Sequence, residues 1–197
     1  MSEPTGVPGS ISVPGPLAPT ATVRLVDPDD APAPAVVLVR SRKALAPWDP
    51  VRPESSSFTE AGQRRAILHS LAVHATGSSW PGVILVGGVP AGRVDLDNVV
   101  RGAFDSADLG YWVDVDHQGR GVATAAVRTV LAVAFERLGL HRVQAGTLVH
   151  HTASRRVLAR NGSAEIGFAP RYLRIAGRWQ DHVLHQRLAD DPAPGGS

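Results

Sequence analysis

Apolar and polar positions alternate or recur with enough regularity to divide most of the chain into elements. "TVRLV" (22–26) alternates as a strand does, and Asp27-Pro28-Asp29-Asp30 supplies a cap and a proline at a helix start, so "AVVLVRSRKAL" (35–45) is read as a helix. Pro47-Trp48-Asp49-Pro50 ends it. "TEAGQRRAILHSLAVHA" (59–75) predicts a second helix; "GVILVGG" (82–88) and "AGRVDLDNVV" (91–100) predict two strands joined around Gly88-Val89-Pro90. "ADLGYWVDV" (107–115) is a further strand, and the helix after it sets Ala123, Val127, Val130, Leu131, Ala134 and Leu138 on one face at buried-stripe spacing. "HRVQAGTLV" (141–149) reads as a strand and "SRRVLARNG" (154–162) as a short helix closed by glycine. Strands around 165–174 and 180–188 follow, with a turn at Ala176-Gly177. The order predicts one α/β (α+β) domain, a mixed and mostly antiparallel central sheet with helices on both faces.

Composition narrows the class. Residues 1–20 and 190–197 are rich in Pro, Gly and Ser and poor in large apolar residues, so both are expected to be disordered tails around a domain at 21–189. At 197 residues and 43% hydrophobic content the chain has material for one real core. No apolar run approaches the roughly 18 residues of a membrane span, and the first 20 residues lack a signal-peptide pattern, so a soluble, cytoplasmic protein is expected. With no cysteine, disulfides, thiolate zinc sites and a cysteine nucleophile are excluded. Twenty basic against 18 acidic residues, without a block of like charge, gives no nucleic-acid footprint.

The segment "YWVDVDHQGRGVATAAV" (111–127) carries the chemistry. A strand enters a turn in which Gly119 and Gly121 flank Arg120, and a helix begins at once. Unpaired amide N–H groups then gather at the positive end of a helix dipole, where side-chain-free positions let phosphate oxygens approach and Arg120 adds charge. An ordinary strand-to-helix connection has the same outline. The dinucleotide fingerprint does not fit, since its third glycine is Thr124, and there is no Gly-Lys-Ser/Thr for a nucleotide-triphosphate loop. Of eight histidines only His150-His151 is a tight pair; on a strand the two would point to opposite faces, so no metal site is predicted.

Gln118-x-x-Gly121-x-Ala123 resembles the pyrophosphate loop of the GNAT superfamily of N-acetyltransferases. "LGYWVD" (109–114), "AFERLGLHRVQAG" (134–146) and "HHTASRRVLARNG" (150–162) resemble the blocks around that loop in order. "APWDPVRPES" (46–55), "DNVVRGAF" (97–104) and "YLRIAGRWQDHVL" (172–184) are most similar to the RimJ/RimL group, which acetylates ribosomal-protein N-termini. The resemblance spans about residues 22–188 and implies the acyl-CoA N-acyltransferase fold with acetyl-CoA as cosubstrate. It implies binding positions at Val113, Gln118, Gly119, Arg120, Gly121, Val122, Ala123, Thr124, His151 and Ser154, with a backbone N–H near Val113 facing the thioester carbonyl. For the proton that the leaving thiolate needs, Ser154 and Tyr172 are the candidates; each also has a structural reading, as a helix N-cap and as a core or interface tyrosine.

His151 stands where the group usually has asparagine, Gly162-Ser163 where it has Gly-Phe, and Leu173 where relatives carry a glutamate base. A base is dispensable for an N-terminal amine, whose pKa of about 7.7–8.0 leaves part of it neutral near pH 7, although His150 or His151 is a candidate. Asp105, Asp114 and Asp116 read as solvated turn or strand-end charges able to attract a cationic N-terminus. The resemblance therefore implies an acetyltransferase acting on a ribosomal protein that starts with Ala or Ser, without direct nucleic-acid or membrane contact, as a monomer or homodimer. A small-molecule amine acceptor, and a catalytically weak coenzyme- or ribosome-binding protein, are the alternatives.

Overall fold

The structure, a computed structural model, describes residues 11–12 and 21–193; the disorder expected of residues 1–10, 13–20 and 194–197 lies outside the described residues. Strands β1 (Ile11–Ser12), β2 (Ala21–Leu25), β3 (Trp80–Val86), β4 (Val89–Val100), β5 (Ser106–Val113), β6 (Arg142–Leu148), β7 (Ala164–Ile175) and β8 (Arg178–Leu188) form one sheet. Its order is β1-β2-β3-β4-β5-β6-β8-β7. Every neighbouring pair is antiparallel except β5 with β6. Helices α1 (Pro32–Leu45), α2 (Glu54–Ser57) and α3 (Glu60–Ala75) lie between β2 and β3, α4 (Val122–Ala132) between β5 and β6, and α5 (Thr152–Arg160) between β6 and β7. Among the described residues no helix is long and apolar enough to cross a membrane.

A parallel neighbour needs a crossover, and α4 supplies it, extended by a π-helical turn over Val133–Arg137. Its inner stripe packs Val122, Ala126, Val127, Val130, Leu131 and Ala134 on Val94, Leu96, Ala107, Leu109 and Val143, with Leu158 of α5 in the same core. The other sheet face carries α3, whose Ile67 packs with Val26, Val83 and Leu85. Helices thus cover both faces.

One local reading shifts. The first hairpin turns at Gly87-Gly88, both at positive φ, rather than at Gly88-Val89-Pro90, because glycine alone takes that region without strain. At the C-terminal end, Asp191 accepts the Leu188 N–H at 2.8 Å and Arg187 donates to the Pro192 carbonyl at 2.7 Å.

Asp114 is no solvated charge. It is fully buried and ion-paired with Arg40 of α1, while Ser41 Oγ donates to its Oδ1 at 2.8 Å and accepts the Val115 N–H at 3.0 Å. Burial alone would raise its pKa, but the bonds from Arg40 and Ser41 outweigh that and hold it below the usual carboxylate range. The stabilisation is therefore complete above the unfolded carboxyl pKa of about 3.9 and is lost as pH falls through the lower folded value. Ser41→Ala strands the Val115 N–H and removes one of the bonds to Asp114 Oδ1, which keeps the one from Arg40 Nε, and is expected to cost about 1–3 kcal/mol at neutral pH and less in acid. Urea unfolding at pH 7 and pH 3 measures both.

Candidate active site

Beyond Asp108↔Gln144, the last of three paired positions, β5 and β6 diverge. The Asp114 N–H donates to Ala91 of β4, so by strand alternation the N–H groups of Leu109, Tyr111 and Val113 point away from β4 into the gap. The cleft along this gap has a volume of about 930 Å³ and is lined from both sides of the sheet. One end holds the turn Gln118–Gly121 with the start of α4; the other holds Trp48, Asp49, Tyr172 and His182.

At the α4 end, Gly121 is the N-cap at φ 81° and Gly119 has φ 73° with nothing within 4 Å of where a Cβ would lie. No side chain caps α4 and its first turn carries no acidic residue. The N–H groups of Val122, Ala123 and Thr124 are thus left for an anion. Val122 is buried to 1% exposure, so only its backbone is offered. Gln118 Nε2 donates to the Val113 carbonyl at 3.0 Å, bracing the turn against the strand end, and Arg120 is exposed at the apex. Gln118, Gly119, Gly121, Val122, Ala123, Thr124, Val113, His151, Ser154 and Tyr172 all line the cleft; Arg120 does not.

Ser154 is inside α5, not at its cap, which is His151 without a side-chain bond. Its Oγ lies 2.7 Å from the Tyr111 hydroxyl, and Tyr111 also donates to the Ser154 carbonyl at 3.2 Å. Burial pushes the Tyr111 phenol up to about 12 against the opposing Ser154 bond, so it stays protonated at neutral pH. This pair sits on the α4–α5 side, since Tyr111 packs with that core. Tyr172 lies on the other side, 45% exposed, its ring 5.6 Å from that of His182 and over Gly146. The two candidate acids are therefore on opposite faces of the sheet.

His150 and His151 do not continue β6 but form the turn after it, and both rings meet Trp48, at 5.4 Å and in a 3.9 Å stack. Burial, then the neighbouring His150, lower the His151 pKa against the pull of Asp49. The Asp49 carbonyl accepts the Ala176 N–H at 2.9 Å, tying the α1–α2 connection to the β7–β8 turn. Two carboxylates on this side, Asp97 and Asp108, also line the cleft; partial desolvation, then Asp95 and Asp108, raise the Asp97 pKa against Arg93. Sequence reading missed Asp97, Asp108, Tyr111 and His182, for only the strand order brings them to one cleft. Among the described residues no three histidine or carboxylate side chains converge to hold a metal ion.

A splayed strand pair leading from a bare helix N-terminus to a partly open pocket lined by Trp48 and Tyr172 defines a site for group transfer from an extended, phosphate-bearing donor. Residues 21–164 match the family described as acetyltransferase (GNAT) domain, and the chain belongs to that family. It is 34% identical over 179 residues to the [ribosomal protein uS5]-alanine N-acetyltransferase of Escherichia coli (strain K12), covering 88% of this chain and 90% of that one. The crystal structure of the ribosomal-protein-S5-alanine acetyltransferase from Vibrio fischeri superposes with TM-score 0.83 at 31% identity, over 92% of this chain and 98% of that one. Mycobacterium smegmatis RimJ, solved in complex with CoA-disulfide, gives TM-score 0.86 at 32% identity, over 93% and 88%.

Proposed function

We propose that the protein transfers the acetyl group of acetyl-CoA to the N-terminal α-amine of a ribosomal protein beginning with alanine or serine. The observation that carries this is the cleft itself, which runs from the uncapped start of α4 to a walled pocket on the far face. The relatives' named activity supports the acceptor.

In this reading the N–H groups of residues 122–124 hold the diphosphate and Arg120 adds charge at its edge. The gap-facing N–H groups of β5 align the pantetheine arm, and one near Val113 or Tyr111 receives the carbonyl oxygen as it gains charge. Ser154 protonates the departing sulfur, with Tyr111 as the acid behind it. Tyr172 and the Trp48 loop bound the acceptor pocket, leaving room for a small first side chain. Asp97 and Asp108, rather than Asp114, draw in the cationic terminus.

Purified protein, acetyl-CoA and a panel of short peptides and small amines, read by intact mass, test the proposal. Acetylation of peptides with a small first residue is expected. Transfer confined to small amines would overturn the acceptor, and none at all the activity.

A further inference from the structure

Resting on that reading, we infer that His182 is the group that takes the proton from the acceptor amine. His182 is 2% exposed, yet it lines the cleft on the face opposite Ser154. Its Nδ1 lies 2.9 Å from the Gln180 carbonyl oxygen, which can only accept, so the Nδ1 carries the hydrogen and the Nε2 of the neutral ring holds the lone pair. Nε2 has no hydrogen-bond partner among the described residues. The Tyr172 ring at 5.6 Å packs against the imidazole from one side, and both rings lie directly over Gly146, where a Cβ would come within 3.6 Å of His182 and 3.4 Å of Tyr172. A backbone bond that sets the tautomer, a packed ring and a free lone pair at a reaction cleft are what a positioned base requires.

The placement also separates the two proton movements. The amine nitrogen forms its bond to the acetyl carbon while the carbon–sulfur bond breaks. One N–H proton passes to His182 Nε2, and Ser154 Oγ gives its proton to the sulfur on the other face. The proton on His182 returns through cleft water to Ser154, so the protein ends unchanged. The charged or titratable groups sharing the acceptor side are Tyr172, His150 and His151, Asp49, and Asp97 and Asp108. Arg156 and Arg160 of α5 line the cleft as well.

The test compares the wild-type protein with His182→Gln, using an alanine-starting peptide. The variant is expected to lose about 100-fold in kcat at pH 7, with acetyl-CoA affinity unchanged by calorimetry, and the loss should shrink as pH falls, since a protonated imidazole accepts no proton from the attacking amine. A kcat within about threefold of wild type, or an equal loss at every pH, would overturn the assignment. Should the variant fail to fold, the wild-type kcat–pH profile with two peptides of different amine pKa decides. A common midpoint supports an enzyme base, whereas a midpoint that follows the amine removes it. Where wild type acetylates only small amines, the same comparison is run with them, so loss of the peptide reading leaves His182 separately answerable.

Discussion

Gly121→Glu is expected to abolish coenzyme A binding in a protein that still folds. The substitution sets a carboxylate at the N-cap of α4, where the uncapped N–H groups and the helix dipole are otherwise open to a diphosphate. A single like-charge contact near a protein surface at about 4 Å is worth about 4 kcal/mol, which weakens binding roughly a thousandfold. The left-handed backbone at Gly121, φ 81°, adds a strain of about 1–2 kcal/mol for any side chain. Gly121→Ala carries that strain without the charge, so titration calorimetry on both variants separates the two effects. Unchanged affinity in folded Gly121→Glu would remove the turn from the binding site.

Ser154→Ala is expected to lower kcat by about 100-fold while leaving acetyl-CoA affinity nearly intact. Stability should fall by no more than about 1 kcal/mol, because Ser154 caps nothing and Tyr111 keeps its bond to the Ser154 carbonyl. Tyr111→Phe should reduce kcat less, since the serine can still reach the sulfur and draw a proton from water. If the two act as one relay, the double variant is no slower than Ser154→Ala alone. A normal kcat in Ser154→Ala would leave the leaving group to another acid, with Tyr172 the first to replace next.

The elements and the glycine turn ahead of α4 were legible because both are local. The stripe on α4 needs only its own periodicity, and the bare helix start needs only two glycines and the lack of a cap within a few residues. α2 was missed because Glu54–Ser57 is a single turn of poor helix formers in a proline-bounded stretch. Asp114 was misread for a different reason, since its partners Arg40 and Ser41 lie 74 and 73 residues away. Ser154 resembled a cap only while α5 was taken to begin there; the helix starts at Thr152. The two turn histidines pointed apart only under the assumption that β6 continued through them. His182 was invisible because β8 inserts between β6 and β7, a crossing that no sequence spacing records. Long-range pairing, rather than local propensity, decided each of these.

The central claim is tested most directly by tandem mass spectrometry of a peptide that carries a free N-terminal alanine and an internal lysine, after incubation with the protein and acetyl-CoA at neutral pH. The N-terminal amine, with a pKa of about 7.7–8.0 against about 10.4 for lysine, is the group a histidine can deprotonate readily there. The acetyl group is predicted on the alanine nitrogen, with little transfer when a bulky residue replaces that alanine. Acetylation mainly on the lysine would contradict the account.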